Sequence, residues 1–175
     1  MIVHLNPDFR PVIRYLKELP EYYCNRKADI FSTKTGKFLK PKLKWSARLR
    51  EAGRRLRCYS YILSIPTGLF EDYDHRARGK KHSPAISIDA HRIVAETWKP
   101  IDEYPPDELK ETWDQVITPD MVGQKRIPEE WKAWVRSSAY IDHIDDNPAN
   151  NHVDNLRWVK PIENQSFRKA AAKNG

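Results

Sequence analysis

Asp142 and His143 stand side by side in a short apolar run, Tyr140-Ile-Asp-His-Ile144, and a stretch dense in turn formers follows, Asp145-Asp-Asn-Pro-Ala-Asn-Asn151. Asn155 opens a second apolar run, Asn155-Leu-Arg-Trp-Val159. Pro161 then suits the first turn of a helix reaching about Lys173, with Asn164 one turn into it. A carboxylate, an imidazole and carboxamides in this order suggest a metal-dependent phosphodiesterase site.

Strand, long loop, strand and helix is the ββα-metal arrangement, in which two strands and a helix enclose one divalent ion. Neighbours on a regular strand point to opposite faces, so a local bend is needed to bring both Asp142 and His143 to the site. The other polar residues of the stretch have plainer readings. His152 reads as a structural or exposed histidine, and Asp145 and Asp146 as turn residues, although either would reach a second metal if one existed.

The elements upstream must position this stretch. Val12 to Leu16 fits a strand or a short helix, and periodicity does not decide between them. Asp29 to Lys40 reads as a hairpin around Lys-Thr-Gly-Lys, with Gly36 free to take positive φ. Cys58 to Ile65 is rich in aromatic and β-branched residues and is stopped by Pro66, so it reads as a strand. Thr67 to Pro84 reads as a basic loop in which His75 and His82 are solvated. Ala85 to Ile88 alternates as a strand does, and Asp89 to Trp98 has a helical pattern with Asp89 as N-cap. His91 and Arg92, in its first turn, are expected to hydrogen-bond across to the neighbouring sheet. Leu109, Trp113, Val116 and Ile117 recur at helical spacing after Pro105-Pro106, and Trp131, Trp134 and Val135 do so after Pro128, which gives two short helices with their tryptophans in the core. The acid-rich first of these should face away from phosphates.

At 175 residues the chain is long enough to bury a core without staples, and its net charge of +7 favours a polyanionic partner without choosing among DNA, RNA and an anionic membrane. From Lys34 to Arg57 the sequence carries ten basic residues (Lys34, Lys37, Lys40, Lys42, Lys44, Arg48, Arg50, Arg54, Arg55 and Arg57) against one acid, Glu51. Leu43, Trp45, Leu49 and Leu56 are interleaved, so the stretch can anchor to a core while its charges meet phosphates. The two cysteines, Cys24 and Cys58, are far apart and make no C-x-x-C pair, which disfavours zinc ribbons and disulfide scaffolds and reads as buried, reduced thiols. The N-terminus lacks the pattern of a signal peptide, and no run is long enough to span a bilayer, so a cytoplasmic protein with no membrane partner is expected.

The segment from Ile141 to Asn164 resembles the HNH nuclease family, most closely the phage- and intron-associated HNH homing endonucleases, whose pattern reads Asp-His, Asn, Leu-Arg-Trp-Val and a final Asn. His91-Arg-Ile-Val-Ala is similar to the strand-helix junction that precedes the motif in those proteins. The resemblance implies that His143 is the general base, an imidazole ordinarily titrating near ~6.5. It makes Asp142 and Asn164 the metal ligands and Asn155 the residue that clamps the loop and orients the base. An oxygen donor set of this kind suits Mg2+ or Mn2+ better than Zn2+. Arg168, four residues beyond Asn164, would share its helix face and neutralise the scissile phosphate.

The expectation is therefore an α+β chain: an N-terminal basic antiparallel β-rich region at 1–100 for double-stranded DNA, a helical insertion at 101–138 and a C-terminal ββα-metal HNH motif at 139–175. It would act as a monomer with no small-molecule cofactor and nick or cut DNA by hydrolysis. An HNH nuclease of phage packaging or restriction, an RNA-cleaving HNH enzyme and a non-catalytic DNA-binding protein on the same scaffold are the alternatives. The connection between Trp98 and Tyr140 is longer than the family's usual one, and with no separate DNA-reading module after the motif, sequence recognition is expected from residues before Tyr140.

Overall fold

The computed structural model describes residues 7–51, 54–66, 68–70, 85–110, 113 and 129–160. Within them strands β1 (Arg10–Arg14), β2 (Lys17–Cys24), β3 (Ile30–Ser32) and β4 (Lys37–Phe38) form one antiparallel sheet in that order. Alternation decides the first strand in favour of extended structure, since Val12 and Arg14 are buried between more exposed neighbours. The β1–β2 turn places Tyr15 and Leu16 at φ 49° and 62°. Neither is glycine, and each costs of order 1 kcal/mol there. Glu96 offsets this by accepting the Tyr15 N–H at 3.0 Å and pairing with Arg14. The hairpin expected at 29–40 is present, with Gly36 at φ 65° in its turn.

A second antiparallel sheet runs β5 (Lys42–Glu51), β6 (Arg54–Ser64), β7 (Ala85–Asp89). β7 pairs with Ser60 to Ser64, whereas β5 and β6 stay paired from Lys42↔Ser60 out to Glu51↔Arg54, with a register shift between Trp45 and Arg50. The outer half of this hairpin therefore leaves the sheet as a two-stranded ribbon. The strand expected at 58–65 thus begins earlier, among arginines whose pairing is dictated by the hairpin rather than by apolar content.

β7 runs straight into helix α1 (Ala90–Trp98), which buries Ala90, Ile93, Val94, Ala95, Thr97 and Trp98. Asp89 occupies the N-cap position with extended backbone but makes no capping bond. Its carboxylate instead faces Lys44 Nζ at 3.4 Å. The helix ties the sheets together. Thr97 Oγ1 accepts the Ile13 N–H at 3.0 Å, Lys99 Nζ donates to the Leu156 carbonyl at 2.8 Å, and the Lys99 carbonyl accepts Trp158 Nε1–H at 2.7 Å. One core cluster runs from Val12 through Leu63, Ile93 and Trp113 to Leu156 and Trp158.

Between α1 and the last sheet, Asp107–Leu109 is a 3-10 turn, Trp113 is fully buried, and helix α2 (Glu129–Ser138) presents Val135 to the core. Trp134 is 56% exposed, contrary to the expectation that these tryptophans share one buried stripe. Val135, its neighbour, takes the inward position. Cys24 is buried as expected, but Cys58 is only half-buried, because it lies near the root of the ribbon; both thiols are free. Strands β8 (Tyr140–His143) and β9 (Leu156–Val159) pair antiparallel as the third sheet. The fold is α+β. The helix expected from Pro161 and most of the loop expected from Thr67 to Pro84, with His75 and His82, lie outside the described residues.

Candidate active site

The β8–β9 ladder sets Asp142 opposite Arg157 and His143 opposite Leu156. The pairing stays in register through both residues, and the two side chains take different partners. Arg157 donates Nε–H and Nη2–H to Asp142 Oδ2 at 3.1 and 2.8 Å. His143 Nε2 lies 3.3 Å from Asn151 Oδ1. Asn151 is buried, and its Nδ2 donates to the Ala149 carbonyl at 3.3 Å, which turns the oxygen of the amide toward the imidazole. A carbonyl oxygen only accepts, so the imidazole is the donor in this contact, through Nε2.

The loop between the strands holds its shape through its own amides. Asp145 Oδ1 accepts from Asn147 N at 2.9 Å, Asn147 Oδ1 from Ala149 N at 3.1 Å, and Asp145 Oδ2 from Asn150 Nδ2 at 2.7 Å. Asn155 closes it: Oδ1 accepts the Asp145 N–H at 3.0 Å, while Nδ2 donates to Asp145 Oδ1 at 2.8 Å and to the Asn150 carbonyl at 2.9 Å. These bonds, that from Asn150 foremost, hold the Asp145 carboxyl below the ordinary carboxylate range. Asn155 thus clamps the loop, and the loop side chain that touches His143 is Asn151. His152 Nδ1 accepts from Asp154 N at 3.3 Å and caps a 3-10 turn, Val153–Asn155, whose first N–H donates to the Arg26 carbonyl at 2.9 Å.

From α1, His91 brings its ring to 5.2 Å from that of His143, centroid to centroid, at 74°. Its Nδ1 is buried without a hydrogen-bond partner among the described residues, and burial, with help from His143, pushes its pKa down to about 4. Among the described residues His91 makes no hydrogen bond to the neighbouring sheet, contrary to expectation, whereas Arg92 reaches the residue before β8 and the ring of Trp158 on β9. His91 packs on His143, and Arg92 pairs with Glu96 at 3.2 Å while Nη2 reaches the Ala139 carbonyl at 3.5 Å.

As a metal centre, β8 offers Asp142 Oδ1, which makes no hydrogen bond among the described residues while Oδ2 is held by Arg157. No cluster of three His, Cys, Asp or Glu ligands converges among the described residues. A carboxylate oxygen fits an Mg2+-type ion in kind. Asn164 and Arg168, the second expected ligand and the phosphate-neutralising arginine, lie outside the described residues.

Of the ten basic residues, Lys34 approaches Glu21 at 3.9 Å in the β3–β4 turn, Lys37 is on β4, Lys40 precedes β5, and Lys42 and Lys44 lie at the root of the ribbon, where Lys44 Nζ donates to Ser87 Oγ at 2.7 Å. Arg48 and Arg50 are on β5 and Arg54, Arg55 and Arg57 on β6. Asn151, Arg157 and the contact of His91 with His143 were not anticipated. The only sequence signal for Asn151 is the density of asparagines after His143, and for Arg157 its alternation with Leu156 and Trp158.

No curated protein matches the chain. A solved structure described as "DNA binding and cleavage by the HNH homing endonuclease I-HmuI" aligns with 92% of this chain at 18% identity and a TM-score of 0.46, and the alignment spans 59% of that chain. Residues 126–166 match the family model described as HNH endonuclease. The segment similar to the HNH endonuclease family is thus the one that carries Asp142, His143, Asn151, Asn155 and Asn164.

Proposed function

We propose that this chain is a divalent-metal-dependent DNA endonuclease of the HNH type, of the site-specific homing kind, with His143 as general base. The observation that carries the reading is the 3.3 Å contact of His143 Nε2 with the buried Asn151 amide, on the strand that also presents Asp142. Nδ1 then takes a proton from water as its oxygen attacks phosphorus, and the P–O3′ bond breaks. Asp142 and Asn164 would hold an Mg2+ or Mn2+ ion, which when bound stabilises charge on the phosphoryl group and the departing oxygen. Arg157 orients the Asp142 carboxylate, Asn155 keeps the loop closed around Asn151, and Arg168 meets the scissile phosphate.

Double-stranded DNA is the proposed partner. The β5–β6 ribbon supports it, because a two-stranded ribbon fits the major groove and this one carries Arg48, Arg50, Arg54, Arg55 and Arg57. The chain is proposed to act as a monomer inside the cell, one site nicking one strand. Supercoiled plasmid carrying the native target tests the reading. Nicked or linear product should require Mg2+ or Mn2+ and vanish in His143→Ala; full cleavage by that variant, or none by the parent, would sink it. Tight specific binding without cleavage of any matched target would favour a DNA-binding protein on the same scaffold.

A further inference from the structure

We propose that His91 is a positioning residue for His143, holding the ring of the base by a contact separate from that of Asn151. The inference rests on the reading of His143 as general base. His91 belongs to the first turn of α1, the helix that bonds to β1 through Thr97 and is tied through Lys99 to the backbone of Leu156 and the indole of Trp158. A side chain rooted there is fixed with respect to both β8 and β9. Its ring meets that of His143 at 5.2 Å and 74°, an edge-to-face arrangement within the range of favourable aromatic pairs. Asn151 supplies the second contact, a directional one at Nε2. One contact fixes the tilt of the imidazole and the other its rotation about χ2, so Nδ1 is aimed before substrate arrives.

His91 Nδ1 has no partner among the described residues, so the ring does not owe its place to a hydrogen bond there. Burial also keeps it neutral, so no second cation stands against the group that must accept a proton. The contact is thus one of ring shape, and another aromatic ring of similar size should reproduce it.

Full-length protein with His91→Leu, which fills the space without an aromatic edge, and His91→Phe, which keeps the ring and removes the nitrogens, tests the proposal. At saturating DNA and Mg2+ the Leu variant should cleave in a single turnover roughly tenfold to hundredfold more slowly, with the dissociation constant for DNA unchanged within about twofold, and the Phe variant should recover to within about threefold of the parent. NMR of the DNA-free protein supplies a readout independent of cleavage: the His143 ring protons, assigned by loss in His143→Gln, should lose their ring-current displacement in the Leu variant and keep it in the Phe variant. A Leu variant at the parental rate, or a Phe variant as slow as Leu, overturns the proposal. If His143→Ala cleaves normally, the base reading fails and the NMR contact alone survives; if His143→Ala is dead and His91→Leu is not, only the present inference falls.

Discussion

Arg157 holds Asp142 by one oxygen only: both guanidinium donors converge on Oδ2, at 3.1 and 2.8 Å, across the β8–β9 ladder. The two donors anchor that oxygen and leave Oδ1 for another partner. The Arg157 side chain is 41% exposed, so solvent screens the pair and its share of stability is about 0–1 kcal/mol. Arg157→Gln should therefore unfold within about 1 kcal/mol of the parent in urea. Its Mg2+ requirement or cleavage rate should worsen about 10- to 100-fold, as for other residues that orient a ligand. A large loss of stability with unchanged cleavage would make the pair purely structural.

Asn155 makes three hydrogen bonds to two loop residues, so its removal leaves more than one group unpaired. Asn155→Ala should cost about 1–3 kcal/mol and speed exchange of the Asp145 amide hydrogen. Asn155→Asp keeps the size but sets a carboxylate against Asp145 Oδ1, and should be no better at neutral pH. Cleavage should fall in both because Asn151, whose amide faces His143, sits in the same loop. Unfolding and hydrogen-exchange measurements on the two variants check the order.

Burial separates two tryptophans that periodicity groups together. Trp113 is fully buried and Trp134 is 56% exposed, so Trp113→Ala should cost about 3–5 kcal/mol and Trp134→Ala no more than about 0.5 kcal/mol in thermal or urea unfolding. The same contrast marks what the chain discloses before folding. The hairpin at 29–40, β7 with α1, and β8 with β9 were legible because Gly36, the alternation of Ala85 to Ile88 and the turn-rich stretch after His143 act locally. Trp134 was not, since its neighbour Val135 competes for the same inward direction and only the packed neighbours decide. The contact of His91 with His143 joins residues on different sheets' flanks, and no local pattern encodes it. Four asparagines crowd the loop and its exit, Asn147, Asn150, Asn151 and Asn155, and which one faces the base depends on the turn geometry.

His91 should leave a signature in the pH dependence of stability. Its folded-state pKa is lowered to about 4, from an ordinary 6.5, chiefly by burial. Between those values the unfolded chain binds a proton that the folded chain does not, so stability falls as pH falls. The contribution is fully present above the ordinary value and is lost on descending through the folded one. Urea unfolding of the parent and His91→Phe at several pH values across that window should show the steeper decline in the parent. Parallel curves would mean that the ring protonates as readily in the fold as in the unfolded chain.

The ribbon makes a prediction about salt. β5 and β6 remain paired beyond the reach of β7, so the backbone carries Arg54, Arg55 and Arg57 away from the sheet that packs on the core. Arginines that meet phosphates release counterions, and removing each such arginine should flatten the slope of log affinity against log salt by about 0.9. The triple replacement Arg54→Ala, Arg55→Ala and Arg57→Ala should therefore weaken binding to the native target and flatten that slope, while single-turnover cleavage at saturating DNA changes little because these residues belong to β6 and not to β8 or β9. Fluorescence anisotropy across a salt series separates the outcomes. An unchanged slope would remove the ribbon from the interface, and a diminished cleavage rate at saturation would tie it to the chemistry instead.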